Sequence, residues 1–129
     1  MRRLFLAAAC AAGLAAPAQA QQAGTYAVQG RGMDGQEYRG TASLQPAGGN
    51  TWRITWRIGN DGAQGLGLLI PEGPLLVVGY VIGREIGVAA YAVQADGSLQ
   101  GTWTQGQGGG TGTEILTPAG GGGGGAPRK

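Results

Sequence analysis

Histidine is absent from this 129-residue chain, and its single cysteine, phenylalanine and lysine are Cys10, Phe5 and Lys129, all close to one end or the other. Between residues 24 and 117 there is no histidine, cysteine or lysine, and the only serines are Ser43 and Ser98. Each absence removes a class of chemistry. Without His or Cys there is no Cys/His metal site, and no Asp-x-Asp-x-Asp run supplies a calcium loop. Nucleophilic catalysis lacks its usual base, and structural disulfides are excluded from this stretch even where the compartment would allow them. No catalytic residue, metal or cofactor is assigned.

Charge of one sign is also lacking. Arg2 and Arg3 account for two of the nine basic residues, and the other seven balance the seven acidic ones. The net charge of +2 therefore belongs to the first few residues and points to no nucleic-acid partner. Long apolar runs are missing too, apart from the stretch at residues 4–16, which follows Arg2-Arg3 and ends in Ala18-Gln19-Ala20. That layout is a secretory signal peptide, too short to span a bilayer. It predicts an exported protein, periplasmic or secreted after cleavage near Ala20, with no membrane span. A twin-arginine signal and a lipidated Cys10 match the layout less well. At the other end Pro118-Ala119 leads into six glycines at 120–125 and then Ala126-Pro127-Arg128-Lys129, a composition typical of a flexible tail. The expected organisation is signal peptide 1–20, one domain 21–118 and tail 119–129.

What remains is a series of eight short segments separated by turn residues. In the third, Thr51-Trp52-Arg53-Ile54-Thr55-Trp56-Arg57-Ile58, apolar side chains fall at every second position. Period two predicts a half-buried strand with Trp52, Ile54, Trp56 and Ile58 inward and Arg53 and Arg57 outward. The same reading turns inward Tyr26 and Val28 on the first strand, Tyr38, Gly40, Ala42 and Leu44 on the second, and Leu99, Gly101 and Trp103 on the seventh. Asp34-Gly35, Asp61-Gly62 and Asp96-Gly97 supply hairpin turns, and Gly48-Gly49, Glu72-Gly73 and Gly83 mark the rest. Short links between consecutive strands require antiparallel neighbours and exclude a parallel sheet with crossover helices. The predicted fold is therefore all-β: a small eight-stranded antiparallel up-and-down meander, closed or nearly closed into a barrel of lipocalin or avidin type.

Glycines recur inside strands, as at Gly40 and Gly101, each a few residues after an Asp-Gly turn. A strand glycine predicts a bend or a place where an aromatic ring covers bare backbone. Segments 66–70, 75–82 and 86–93 are apolar on both faces. Either small residues (Gly65, Gly67, Gly79, Gly87, Ala89) take the outer positions, or the face docks on a protein partner or a second copy of the chain.

Four of the seven carboxylates, Asp34, Asp61, Glu72 and Asp96, precede glycine and are explained as turn residues. Glu37 and Glu85 lie beside Arg39 and Arg84 and are expected to be solvated. Glu114 shares its strand face with Gly112 and Leu116; if that face is inward, the carboxylate needs an ion-pair partner or a ligand. Nothing sets two carboxylates on one cleft face, as paired-carboxylate hydrolysis would require. The glycine-rich stretch 106–112 precedes a strand and has no neighbouring lysine, so it is no phosphate cradle. The arginines and tryptophans of the third strand face opposite ways, which argues against a nucleic-acid stacking surface.

The runs Gly24-Thr25-Tyr26-Ala27-Val28-Gln29-Gly30, Asp34-Gly35 with Tyr38-Arg39-Gly40-Thr41, Trp52-Arg53-Ile54-Thr55-Trp56, and Asp96-Gly97 with Gly101-Thr102-Trp103-Thr104 and Gly112-Thr113-Glu114 together resemble a group of small exported bacterial proteins often labelled fibronectin-binding. The resemblance spans nearly the whole domain and implies a β fold and a protein-binding role. Members often carry cysteines in the middle strands; this chain has none there, and a closed barrel offers no sheet edge to a partner.

Two functions follow as expectations. One is an exported binding module that meets an extracellular or periplasmic protein through Arg39, Arg53 and Arg57 or through the apolar fourth to sixth strands, where a homo-oligomer is the other possibility. The other is a small-molecule carrier with an interior built on Trp52, Trp56 and Trp103, and with Glu114 as a ligand contact.

Overall fold

The computed structural model describes residues 22–119, so the predicted signal peptide at 1–20 and the glycine tract at 120–125 lie outside the described residues. Eight strands follow one another: β1 Gly24–Arg31, β2 Glu37–Gly48, β3 Thr51–Ile58, β4 Asp61–Ile70, β5 Leu75–Ile82, β6 Glu85–Val93, β7 Leu99–Gln105 and β8 Gly112–Pro118. Each pairs antiparallel with the next, and β1 pairs with β8 from Tyr26↔Pro118 to Arg31↔Thr113, which closes the barrel. The ladder extends one residue past β8, where the Ala119 amide donates to the Thr25 carbonyl.

Register follows the turns. Gly35 and Gly97 take positive φ after Asp34 and Asp96, whose side chains accept from the backbone N–H two residues on. The β3–β4 turn is different from the expected one. Ile58 pairs with Asp61, so the two turn residues are Gly59 and Asn60, and it is Gly59 that takes positive φ. Asp61 and Gly62 belong to β4.

Alternate residues point inward and pack in two zones. Tyr26, Leu44, Ile54, Leu76, Val78, Leu99 and Leu116 are essentially inaccessible, and with Trp52 they plug the end of the barrel that carries both chain ends. Toward the other end the interior side chains are aromatic. There, glycines face rings directly across the ladder: Gly30 opposite Tyr38, Gly87 opposite Tyr80, Gly101 opposite Tyr91 and Gly112 opposite Trp103. A Cβ at any of the four would overlap the ring beside it. The glycines are therefore the space in which the rings lie down, and the rings cover the backbone that glycine leaves bare.

This arrangement corrects the reading of the middle strands. Gly65, Gly67, Gly87 and Ala89 face the interior, where a Cβ on Gly67 would meet Ile54, Leu76 and Val78; of the five small residues only Gly79 faces out. The outer positions hold large apolar side chains instead, with Leu66, Leu68, Val81, Ile86 and Val88 half or more exposed. The alternation gave no phase in these segments because both faces are apolar; pairing to β3, with Trp56 opposite Ala63, sets it. The apolar outer positions are concentrated on β4 to β6, whereas Arg39, Arg53, Arg57, Thr41 and Thr102 are exposed on other strands. No helix among the described residues is long and apolar enough to cross a membrane.

Candidate functional site

At the end opposite the plug the interior is not filled. A cavity of about 150 Å³ opens between the β3–β4, β5–β6 and β7–β8 turns, lined by Tyr38, Trp56, Tyr80, Tyr91 and Trp103, by Ile58, Ala63, Ile82 and Ala89, and by Asp61, Gln105 and Glu114. Five of its twelve lining residues are aromatic. The size equals that of an engineered apolar cavity able to hold benzene, roughly 150 Å³. The rings stand at angles to one another. Trp56 and Tyr80 have centroids 5.4 Å apart with planes tilted by 54°, and Tyr38 meets Trp103 edge-on at 6.3 Å and 60°.

The polar centre of this wall is Glu114, which is 6% exposed. Its position follows from strand alternation: Gly112, Glu114 and Leu116 of β8 all turn inward. One carboxylate oxygen, Oε1, accepts from the Tyr38 hydroxyl at 2.6 Å. The other, Oε2, accepts from the Tyr91 hydroxyl at 2.7 Å and from Trp56 Nε1 at 3.0 Å. The ion pair expected as one answer for a buried Glu114 is not found among the described residues. Among the described residues the ion pair found is Arg31–Glu37, at 2.8 Å on the outer surface. Three neutral donors from β2, β3 and β6 solvate the carboxylate in place of water, which offsets its burial without cancelling its charge.

The same charge acts on the phenols around it. Burial, followed by the Glu114 charge and the hydrogen bond to it, holds the Tyr38 and Tyr91 hydroxyls well above the ordinary tyrosine range. Tyr80 is pushed up to about 12, first by burial and then by the charges of Glu114 and Glu85; its hydroxyl donates to Gln105 Oε1 at 2.9 Å. Trp103 contributes a buried N–H that interacts with the Tyr38 hydroxyl but makes no hydrogen bond of good geometry among the described residues.

A consequence is measurable in alkali. An unfolded tyrosine ionises near 10, so between about pH 10 and 12 the unfolded chain releases a proton that folded Tyr80 retains, and stability falls as pH rises through that window. Ultraviolet titration of the folded protein should show the Tyr80 phenolate only near pH 12, with Tyr38 and Tyr91 later. Full ionisation of all three near pH 10 without unfolding would contradict this placement of the rings.

The structure brings together three of the sequence candidates, Trp56, Trp103 and Glu114, around one cavity. Trp52 is buried in the plugged zone and does not line that cavity. Arg39, Arg53 and Arg57 are exposed on the outside of β2 and β3, and Arg53 and Arg57 border a shallow outer groove with Gln64, Leu66 and Val81. Sequence reading missed that Tyr38 and Tyr91 donate to one carboxylate, with Tyr80 beside them in the same wall. The available signal was the inward glycine opposite each, visible only once register is known.

No protein-family model matches the chain, and neither does any curated protein. Among solved structures it is similar to designed barrels. The redesigned β-barrel mFAP1, bound to DFHBI, is 18% identical with a TM-score of 0.63 over 74% of this chain and 93% of that one. The redesigned barrel b11L5F_LGL is 17% identical with a TM-score of 0.64, covering 74% and 89%. A de novo designed fluorescence-activating β-barrel is 18% identical with a TM-score of 0.56, covering 75% and 93%. At these identities the likeness is one of fold.

Proposed function

We propose that this protein is an exported, non-catalytic carrier that holds a small molecule in the open end of its barrel. The observation that carries the reading is the division of the interior: one end is packed solid, and the other keeps a ring-lined cavity of about 150 Å³ around a buried, hydrogen-bonded carboxylate. A barrel of eight strands has little spare volume, and side chains normally fill it. Glycines set opposite the largest rings keep that volume open, since a side chain at Gly87 or Gly112 would displace the walls. A concave, largely apolar site with a few converging polar groups is the common form of a small-molecule pocket. The similar designed barrel with DFHBI bound supports the same use of this architecture.

Native mass spectrometry of the protein purified from its own host tests the reading. The expected spectrum carries an added small mass that survives gentle ionisation and leaves on denaturation. A clean apo mass, with no change in tryptophan emission on exposure to extracts of the host, would count against it. The same spectrum reads the one specific observation that favours a surface role, the exposed Leu66, Leu68, Val81, Ile86 and Val88 of β4 to β6. An uncharged outer face of this kind fits a second copy of itself, so a dimer mass would support self-association there. The protein-binding, fibronectin-type role implied by the family resemblance would draw on that face or on the outer arginines.

A further inference from the structure

We infer that the molecule held in this cavity is a small organic cation, an ammonium or alkylated ammonium group on a compact apolar body. The inference rests on the carrier reading above and adds the chemical class of the ligand.

Three observations converge on it. The first is charge. The cavity wall contains Glu114, and Asp61 stands exposed at its mouth, while none of the lining residues is basic. The arginines of the described chain are all exposed, and among the described residues no ion pair to Glu114 is formed. The interior therefore carries a buried negative charge that neutral donors stabilise but do not neutralise. An anion entering the cavity would meet repulsion at close range and low dielectric; a cation would meet attraction. The second is the wall itself. Five aromatic residues line the space, and in the two pairs that meet the ring planes are inclined by more than half a right angle. Inclined aromatic walls form a box, and a box of ring faces is the recognised receptor for quaternary ammonium groups, whose methyl jackets are apolar while their charge is attracted to the ring quadrupoles. The third is size. About 150 Å³ accommodates a ligand with roughly the bulk of benzene, on the order of six heavy atoms, and so suits a compact head group in preference to an extended chain.

The three donors to Glu114 fix where the charge sits. With Oε1 and Oε2 held by Tyr38, Tyr91 and Trp56, the carboxylate is pinned among the rings. A cation there completes both interactions at once, the carboxylate below and the ring faces around it.

The test compares choline and tetramethylammonium with 3,3-dimethylbutan-1-ol, the uncharged carbon isostere of choline, by calorimetry and by emission of the cavity tryptophans. The expected result is saturable binding of a cation with a preference of at least tenfold over the isostere. Glu114→Gln should reduce that preference towards one, and Asp61→Asn should reduce it less; the Asp61 variant and the wild-type comparison stand even where the Glu114 variant does not fold. Equal or tighter binding of the uncharged isostere would overturn the cation assignment and leave the carrier reading intact. Absence of binding by all three compounds to protein freed of its native ligand would overturn the cation assignment, and the native mass spectrum would then decide the carrier reading separately.

Discussion

Replacing Glu114 by alanine is expected to cost about 3 to 5 kcal/mol, a large share of the roughly 5 to 15 kcal/mol that holds a domain of this size together. The carboxylate is the common acceptor for Tyr38, Tyr91 and Trp56, drawn from three different strands. Removing it strands three donors inside the barrel, and each unsatisfied buried donor costs about 1 to 3 kcal/mol unless water reaches it. The adjacent cavity lets some water in, which keeps the total below the simple sum. Glu114→Gln retains an acceptor of the same shape and should lose much less, about 1 to 2 kcal/mol. Urea unfolding of the two variants beside the parent measures the difference. If alanine proves no worse than glutamine, the carboxylate is not the pin that joins β8 to β2, β3 and β6.

Gly101→Ala should destabilise the barrel by about 1 to 3 kcal/mol, although alanine ordinarily improves a strand position by about 0.5 to 1 kcal/mol over glycine. The new methyl would overlap the Ala90 carbonyl oxygen and the Tyr91 ring, and neither can yield freely: the oxygen belongs to a neighbouring strand, and the ring is tied to Glu114 at 2.7 Å. Gly79→Ala provides the contrast. Gly79 faces solvent on β5 with nothing within 4 Å of its missing Cβ, so there the same substitution should stabilise by up to about 1 kcal/mol. Thermal or chemical unfolding of the pair should therefore give shifts of opposite sign. Two shifts of the same sign would mean that the rings move aside easily and that the glycines do not set the wall positions.

The strand order was legible because period two and short turns leave few alternatives. Trp52, Ile54 and Trp56 faced the core as their alternation required, and Glu114 turned inward with Leu116. The phase of the middle strands was not legible. Where both faces are apolar, as at 75–82, only the register with a neighbour decides which residues are inside, and that register depends on a turn at Gly59-Asn60 that the Asp-Gly rule placed two residues late. The site was half legible for a related reason. Glu114 was conspicuous as a carboxylate on an inward face, but its donors are 76, 58 and 23 residues away in the chain, and no local pattern joins them.

Both ends of the described chain lie at the plugged end, where Tyr26 pairs with Pro118 and the Ala119 amide reaches the Thr25 carbonyl. Among the described residues the mouth is framed by hairpins alone. A tether, affinity tag or reporter domain joined next to Gln22 or Ala119 would thus start from the base, like a stem beneath a cup, at the end away from the rim. Joining the two ends to each other and reopening the chain at a hairpin of the mouth, such as the β3–β4 turn, would turn the cup over on its stem.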